Sequence, residues 1–114
     1  MIEKYKSRRI RVALRHALMS HWDPIDVKDE PCAADEYDRY LGDVFGLLER
    51  QATASEIEKY LRWVEVERME LVDLQGIPLM PVAVRMAAVA ELQRVFHEEM
   101  LSDDPTGRPI YPVE

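Results

Sequence analysis

Seven prolines stand in three clusters, at 24 and 31, at 78 and 81, and at 105, 109 and 112, and they set where ordered elements of this 114-residue chain can run. Proline fixes φ and lacks an amide N–H, so each cluster interrupts any helix that reaches it. Between the clusters the apolar residues recur every three or four positions, which is the helical period. No run of four to eight residues alternates with β-branched enrichment; only LVDLQGIPLM, residues 71–80, leaves room for one short strand.

Four helices follow from that punctuation. In the first, over about residues 3–21, Ile10, Leu14 and Leu18 form a stripe flanked by Ala13 and Ala17, with Arg8, Arg9, Arg11 and Arg15 mostly off it. Pro24 stops it, and a structured acidic loop runs to about residue 33. Tyr37, Leu41, Val44, Phe45 and Leu48 define the second helix; Asp35, Glu36 and Asp38 near its start suit the positive end of its dipole. Thr53-Ala-Ser-Glu56 has the form of a capping box and predicts a third helix beginning at Thr53. Its stripe is Ile57, Tyr60, Leu61, Val64 and Leu71, with Glu65, Glu67, Arg68 and Glu70 expected near the surface and Gly76 and Pro78 closing it.

The fourth segment, PVAVRMAAVAELQRVFHEEM, is the most apolar and is expected to be the central helix, with Val82, Met86, Val89, Leu92, Val95, Phe96 and Met100 down one side. From Ser102 the chain holds three prolines in 13 residues and no helical period, so an extended Pro-rich tail is expected, its Ile110, Tyr111 and Val113 ready to dock. The predicted architecture is all-α: an antiparallel four-helix bundle formed by a single domain, 1–101, followed by the tail, 102–114.

Charge is distributed unevenly along this frame. Residues 1–21 hold six Lys/Arg against one Glu, and residues 22–38 hold seven Asp/Glu against Lys28 alone. The acidic loop is expected to fold back beside the basic helix and to neutralise part of it, leaving an acidic excess for a partner. The net charge of −7 argues against nucleic acid, because a phosphate backbone calls for a basic surface. No apolar run approaches the roughly 18 residues that span a bilayer, and the N-terminus lacks the apolar core of a secretory signal. One cysteine, Cys32, excludes an internal disulfide and a thiolate zinc site, so a cytoplasmic protein is expected.

Constellations that could carry chemistry are weak. His16 and His21 are five apart and diverge on a helix, and His97 has no second histidine near it, so no metal or other cofactor is expected. The acids of the loop lack EF-hand spacing and its sixth-position glycine. His21, Asp23 and Cys32 could form a base, orienter and nucleophile only if the loop brought them together, and no nucleophile elbow accompanies them. Trp63 lies off its helix's apolar stripe and is expected to be exposed, which suits a recognition residue.

Trp22-Asp23-Pro24-Ile25, continued by Val27-Lys28-Asp29, by Asp35-Glu36-Tyr37-Asp38 with Tyr40, and by Glu67-Arg68-Met69, resembles a family of small bacterial helical proteins called YugE-like, over roughly residues 8–72. In that family a helix ends in a W-D-P-[IL]-G turn, and no biochemical activity is assigned to it. The resemblance implies a four-helix bundle and implies no enzyme. Asp26 stands where the family turn has glycine; Asp adopts the left-handed conformation more readily than most residues, so the turn can survive at some strain.

These readings converge on a non-enzymatic acidic interaction module of bacterial type that binds a basic protein partner; size and charge, rather than a motif, are what it shares with immunity and regulatory proteins. Its expected contacts are Asp26, Asp29, Glu30, Asp35, Glu36 and Trp63. The alternative is a small enzyme or ligand-binding protein with a pocket around the Trp22-Asp23-Pro24 turn, formed by His21, Trp22, Asp23, Tyr37 and Tyr40. Homo-oligomerisation through the fourth helix or the tail is a third possibility.

Overall fold

The structure, a computed structural model, describes residues 4–27, 29–30 and 36–101. Four helices make up the bundle: α1 (Lys4–Ala17), α2 (Asp38–Glu49), α3 (Ala54–Trp63) and α4 (Val82–Leu101). The fourth helix is the central element, packed against α1 and α3, while α2 packs against α1. Buried apolar side chains from all four form one core: Ile10, Leu14 and Leu18, then Leu41, Val44 and Leu48, then Ile57, Leu61 and Val64, and finally Val89, Leu92 and Val95. The expected all-α bundle is therefore the observed one, and among the described residues no strand forms.

Both odd-numbered helices end in a wide turn of π geometry. After α1 the turn Leu18–Trp22 closes with Asp23 N–H on the Leu18 carbonyl at 3.0 Å, five residues back. After α3 the turn Val64–Arg68 closes with Met69 N–H on the Val64 carbonyl at 3.0 Å. Helical structure thus reaches Trp22 in the first case, close to the expected boundary. In the second it stops at Arg68, well before the Gly76 and Pro78 expected to end it.

Residues 69–81 make a tight hairpin-like loop joined by a single antiparallel bridge, Val72 to Pro78. The Leu79 N–H donates to the Leu71 carbonyl at 3.0 Å, and Asp73 N–H to the Ile77 carbonyl at 2.8 Å. The Asp73 carboxylate accepts the Gln75 and Ile77 amides, and Gly76 at φ 80° turns the tip. The residues suspected of hiding a strand supply only this bridge, because Gly76 turns the chain at the tip and Pro78 has no amide N–H to extend the pairing.

Capping at α3 is as expected. Thr53 Oγ1 accepts the Glu56 amide at 3.2 Å while Glu56 Oε1 accepts the Thr53 amide at 3.0 Å. These bonds and the nearby Arg50 and Lys59 hold the Glu56 carboxyl below its ordinary range. α2 ends differently, in a left-handed Gln51 at φ 61°; Ala52 N–H reaches the Leu47 carbonyl and Gln51 N–H the Leu48 carbonyl, which is the Schellman pattern with glutamine in the place glycine usually takes.

Four charged residues expected outside the core, or not singled out, lie within it. Arg9, Glu65, Arg85 and Glu99 are each at most 4% exposed. Arg9 Nε meets Glu99 Oε1 at 2.7 Å and its Nη2 donates to the Glu99 carbonyl at 2.9 Å, which ties the start of α1 to the end of α4. Conversely, Val82 and Met86, expected on the buried side of α4, are 59% and 39% exposed. Arg85 occupies the inward row in their stead, one helical repeat before Val89 and Leu92.

Candidate functional site

The acidic loop leaves α1 through two left-handed aspartates. Asp23 has φ 34° and Asp26 φ 56°, conformations that L-residues adopt at a cost. Asp26 thus takes the left-handed conformation that its residue type tolerates better than most. Asp23 is held there by its own side chain, whose Oδ1 accepts the Val27 amide at 2.8 Å and the Tyr37 hydroxyl at 2.6 Å. The Tyr37 oxygen in turn accepts the Ile25 amide at 3.3 Å. Burial, reinforced by the hydrogen bond to Asp23, raises the Tyr37 hydroxyl well above its ordinary value, so it remains a donor at any physiological pH.

Beneath this turn lies an aromatic and ionic hub. The Trp22 ring packs on Tyr37 at 5.2 Å and edge-on to Tyr40 at 6.4 Å. Its indole N–H donates to Glu65 Oε2 at 2.8 Å, and the other Glu65 oxygen receives Arg85 Nη1 at 2.7 Å. Arg85 Nε continues to Glu58 at 2.7 Å, and Nη1 also reaches the Met80 carbonyl at 3.2 Å. Burial pushes the Glu65 carboxyl above the ordinary carboxylate range, against the opposing effects of the Trp22 N–H and the Arg85 guanidinium. The hub therefore joins the two wide turns: Trp22 closes the first and Glu65 sits in the second.

Of the residues expected to form a pocket, Trp22, Asp23, Tyr37 and Tyr40 do converge, but as packed and mutually hydrogen-bonded side chains. Trp22, Tyr37 and Tyr40 are buried. His21 faces away to Glu91, its Nε2 3.6 Å from that carboxylate, and is 45% exposed. Glu91 is held below its usual value chiefly by Arg94, and less by His21.

The expected contact residues divide between two surfaces. Asp26, Asp29, Glu30 and Glu36 are exposed on the loop and at the approach to α2. Asp35 lies outside the described residues, as do Cys32 and the tail with Ile110, Tyr111 and Val113. Self-neutralisation of the acidic block is seen at Asp38, whose carboxylate takes a two-point bond from Arg15 at 2.8 and 2.6 Å.

Trp63, 44% exposed, belongs elsewhere. It stacks on Tyr60 at 6.1 Å, with the Arg68 guanidinium 5.1 Å from its ring centre. The Tyr60 hydroxyl donates to Asp43 at 2.7 Å, and burial with that bond raises its pKa. A shallow hollow of about 470 Å³ runs beside these rings, between Gly42, Gly46 and Arg50 of α2 and its C-terminal end on one side and α3 on the other. The basic residues here, Arg39, Arg50 and Arg68, make this surface unlike the acidic loop.

Among the described residues no group of three or more His, Cys, Asp or Glu side chains is placed to hold a metal ion, and no helix is long and apolar enough to cross a membrane. Sequence reasoning missed Glu65 and Arg85, although spacing offered a signal: Glu65 continues the row Ile57–Leu61, and Arg85 the row Val89–Leu92. Comparison of the chain with protein-family models, with curated proteins and with solved structures gives no match.

Proposed function

We propose that this protein is a non-enzymatic interaction module of bacterial type, a cytoplasmic immunity or regulatory factor that binds a basic protein partner through the acidic loop after α1. The observation that carries this reading is a local cluster of exposed acids. Asp26, Asp29, Glu30 and Glu36 are exposed on or beside one loop and, among the described residues, stand in no ion pair. Exposed charge of one sign on an anchored loop accelerates and orients encounter with a basic surface.

Anchoring supports the same reading. The start of the loop is fixed by the Asp23 carboxylate, the Tyr37 hydroxyl and the hub below them, so less conformational freedom is lost when a partner docks. On this view the Trp22-Asp23-Pro24-Ile25 turn that carries the YugE-like resemblance is structural, and its role is to present the acids that follow. Trp63 stands on a separate, more basic surface and is left out of this contact.

The test uses a partner captured from a lysate of the source cells and then purified. Replacing Asp29, Glu30 and Glu36 together with alanine should weaken its affinity at least about tenfold and flatten its salt dependence, because exposed charges act mainly through screened, long-range attraction. Unchanged affinity and salt slope in that variant would remove the loop from the interface.

A further inference from the structure

α2 and α3 follow each other in the chain, yet each packs chiefly on a different helix, α2 on α1 and α3 on α4. An open groove runs between them. Two hollows lie along it and share Asp43, Tyr60 and Trp63: one of about 470 Å³ extends to Gly42, Gly46 and Arg50, the other, of about 340 Å³, to Arg39 and Arg68. Arg39, Gly42, Asp43, Gly46 and Arg50 are spaced to fall on one face of α2, with a rise of about 16 Å from the first to the last. The middle of that face is low because the two glycines carry no side chain, and a Cβ at Gly42 would stand in open space.

This groove has the opposite sign to the rest of the molecule. In a chain of net charge −7, the two hollows are lined by three guanidinium groups and one carboxylate, Asp43, which already accepts the Tyr60 hydroxyl. Among the described residues Arg39, Arg50 and Arg68 stand in no ion pair. The acids nearest in sequence, Glu36, Glu49, Glu56 and Glu67, line neither hollow, and Glu56 is engaged in the α3 capping box. Trp63 is 44% exposed even with Tyr60 stacked beside it and Arg68 over its ring. A guanidinium resting on a ring still offers its N–H edge to a carboxylate, and Trp, Tyr and Arg are the residues that most often dominate binding energy at protein contacts. Both hollows are too shallow to enclose a small molecule, but they suit a length of chain laid along the groove.

We infer that the groove between α2 and α3 binds an acidic segment of a partner protein. An apolar or aromatic side chain of that segment lies over Gly42 and Gly46 against Trp63, and flanking carboxylates meet Arg39 and Arg68 at one end and Arg50 at the other. The charge of the whole chain opposes an acidic partner only at a distance; at physiological salt, screening over about 8 Å leaves the local guanidinium groups to decide the contact.

Selection of displayed random peptides of about 16 residues against the full chain at physiological salt tests this, with the affinities of the recovered sequences read by fluorescence anisotropy. A set rich in Asp and Glu with an aromatic or aliphatic anchor is expected, binding with Kd below about 100 μM. Arg39→Gln with Arg68→Gln, Trp63→Ala, and Gly42→Glu should each weaken that set at least about tenfold, with the helical signal of every variant close to that of the parent. Gly42→Glu fills the hollow with a like charge while improving helix propensity, so its effect cannot come from unfolding. Asn and Gln in place of the acids of the peptides should weaken binding by a similar factor. Alanine at Asp29, Glu30 and Glu36 should leave the acidic set unaffected, so failure of the acidic-loop reading leaves this one standing. Recovery of no sequence, recovery of neutral or basic sequences alone, or acidic sequences whose affinity survives all three groove variants would overturn the inference. A dimer of the parent that the same variants disperse would assign the groove to a second copy and overturn it equally.

Discussion

Trp22, Glu65 and Arg85 hold a charged pair in a core that has little room for one. Taking each ion out of water costs several kcal/mol, and the attraction between them offsets this only when the remaining hydrogen-bonding capacity is met. Here it is met by the indole N–H on one Glu65 oxygen, by Glu58 on the Arg85 Nε and by the Met80 carbonyl. Arg85→Met leaves the Glu65 carboxylate buried with Trp22 as its remaining side-chain donor, and should lower stability at pH 7 by about 3–5 kcal/mol. Because the native Glu65 pKa is raised, its favourable contribution is complete below the unfolded value of about 4.3 and is lost as pH rises through the native value. Removing Arg85 raises the native value further, so the deficit should shrink as pH falls from 7 toward 4. Urea titrations at both ends of that interval measure it; an equal deficit at each would mean that Glu65 ionisation plays no part.

At the scale of the helices, two substitutions of opposite sign follow from local geometry. Thr53→Ala removes one half of the capping box at α3 and should cost about 1 kcal/mol, a fall of roughly 3–6 °C in melting temperature. Gly42, in the interior of α2, has open space where a Cβ would stand, so Gly42→Ala should raise stability by about 0.5–1 kcal/mol through helix propensity alone. Thermal unfolding of the two variants beside the parent checks both signs. The cap, the helix count, the exposure of Trp63 and the central place of α4 were legible in the sequence because each depends on spacing within one segment. The hub was not, because it depends on which charged residue meets which across segments. Arg9 continues the row Ala13–Ala17, Glu65 the row Ile57–Leu61 and Arg85 the row Val89–Leu92, so spacing placed them inward while residue type argued outward. Burial followed the spacing, since each found an opposite charge: Arg9 with Glu99 and Arg85 with Glu65. The wide turns left no sequence trace, and the early end of α3 at Arg68 went unseen for that reason.

At the scale of the whole molecule, exposed acids and exposed aliphatic side chains adjoin: Asp26, Asp29, Glu30 and Glu36 are exposed after the Asp23–Pro24 turn, and Pro24 lines one hollow with Leu79 and Val84. Salt screens the exposed acids and so weakens their contact with a basic partner. Whether the acidic loop forms the contact is decided by the association rate with the captured partner, measured against ionic strength. For the parent chain the rate should fall at least about tenfold between low and physiological salt, and alanine at Asp29, Glu30 and Glu36 should remove most of that dependence while leaving the rate at high salt nearly unchanged. A rate insensitive to salt in the parent, or a salt dependence that survives the three substitutions, would contradict the account.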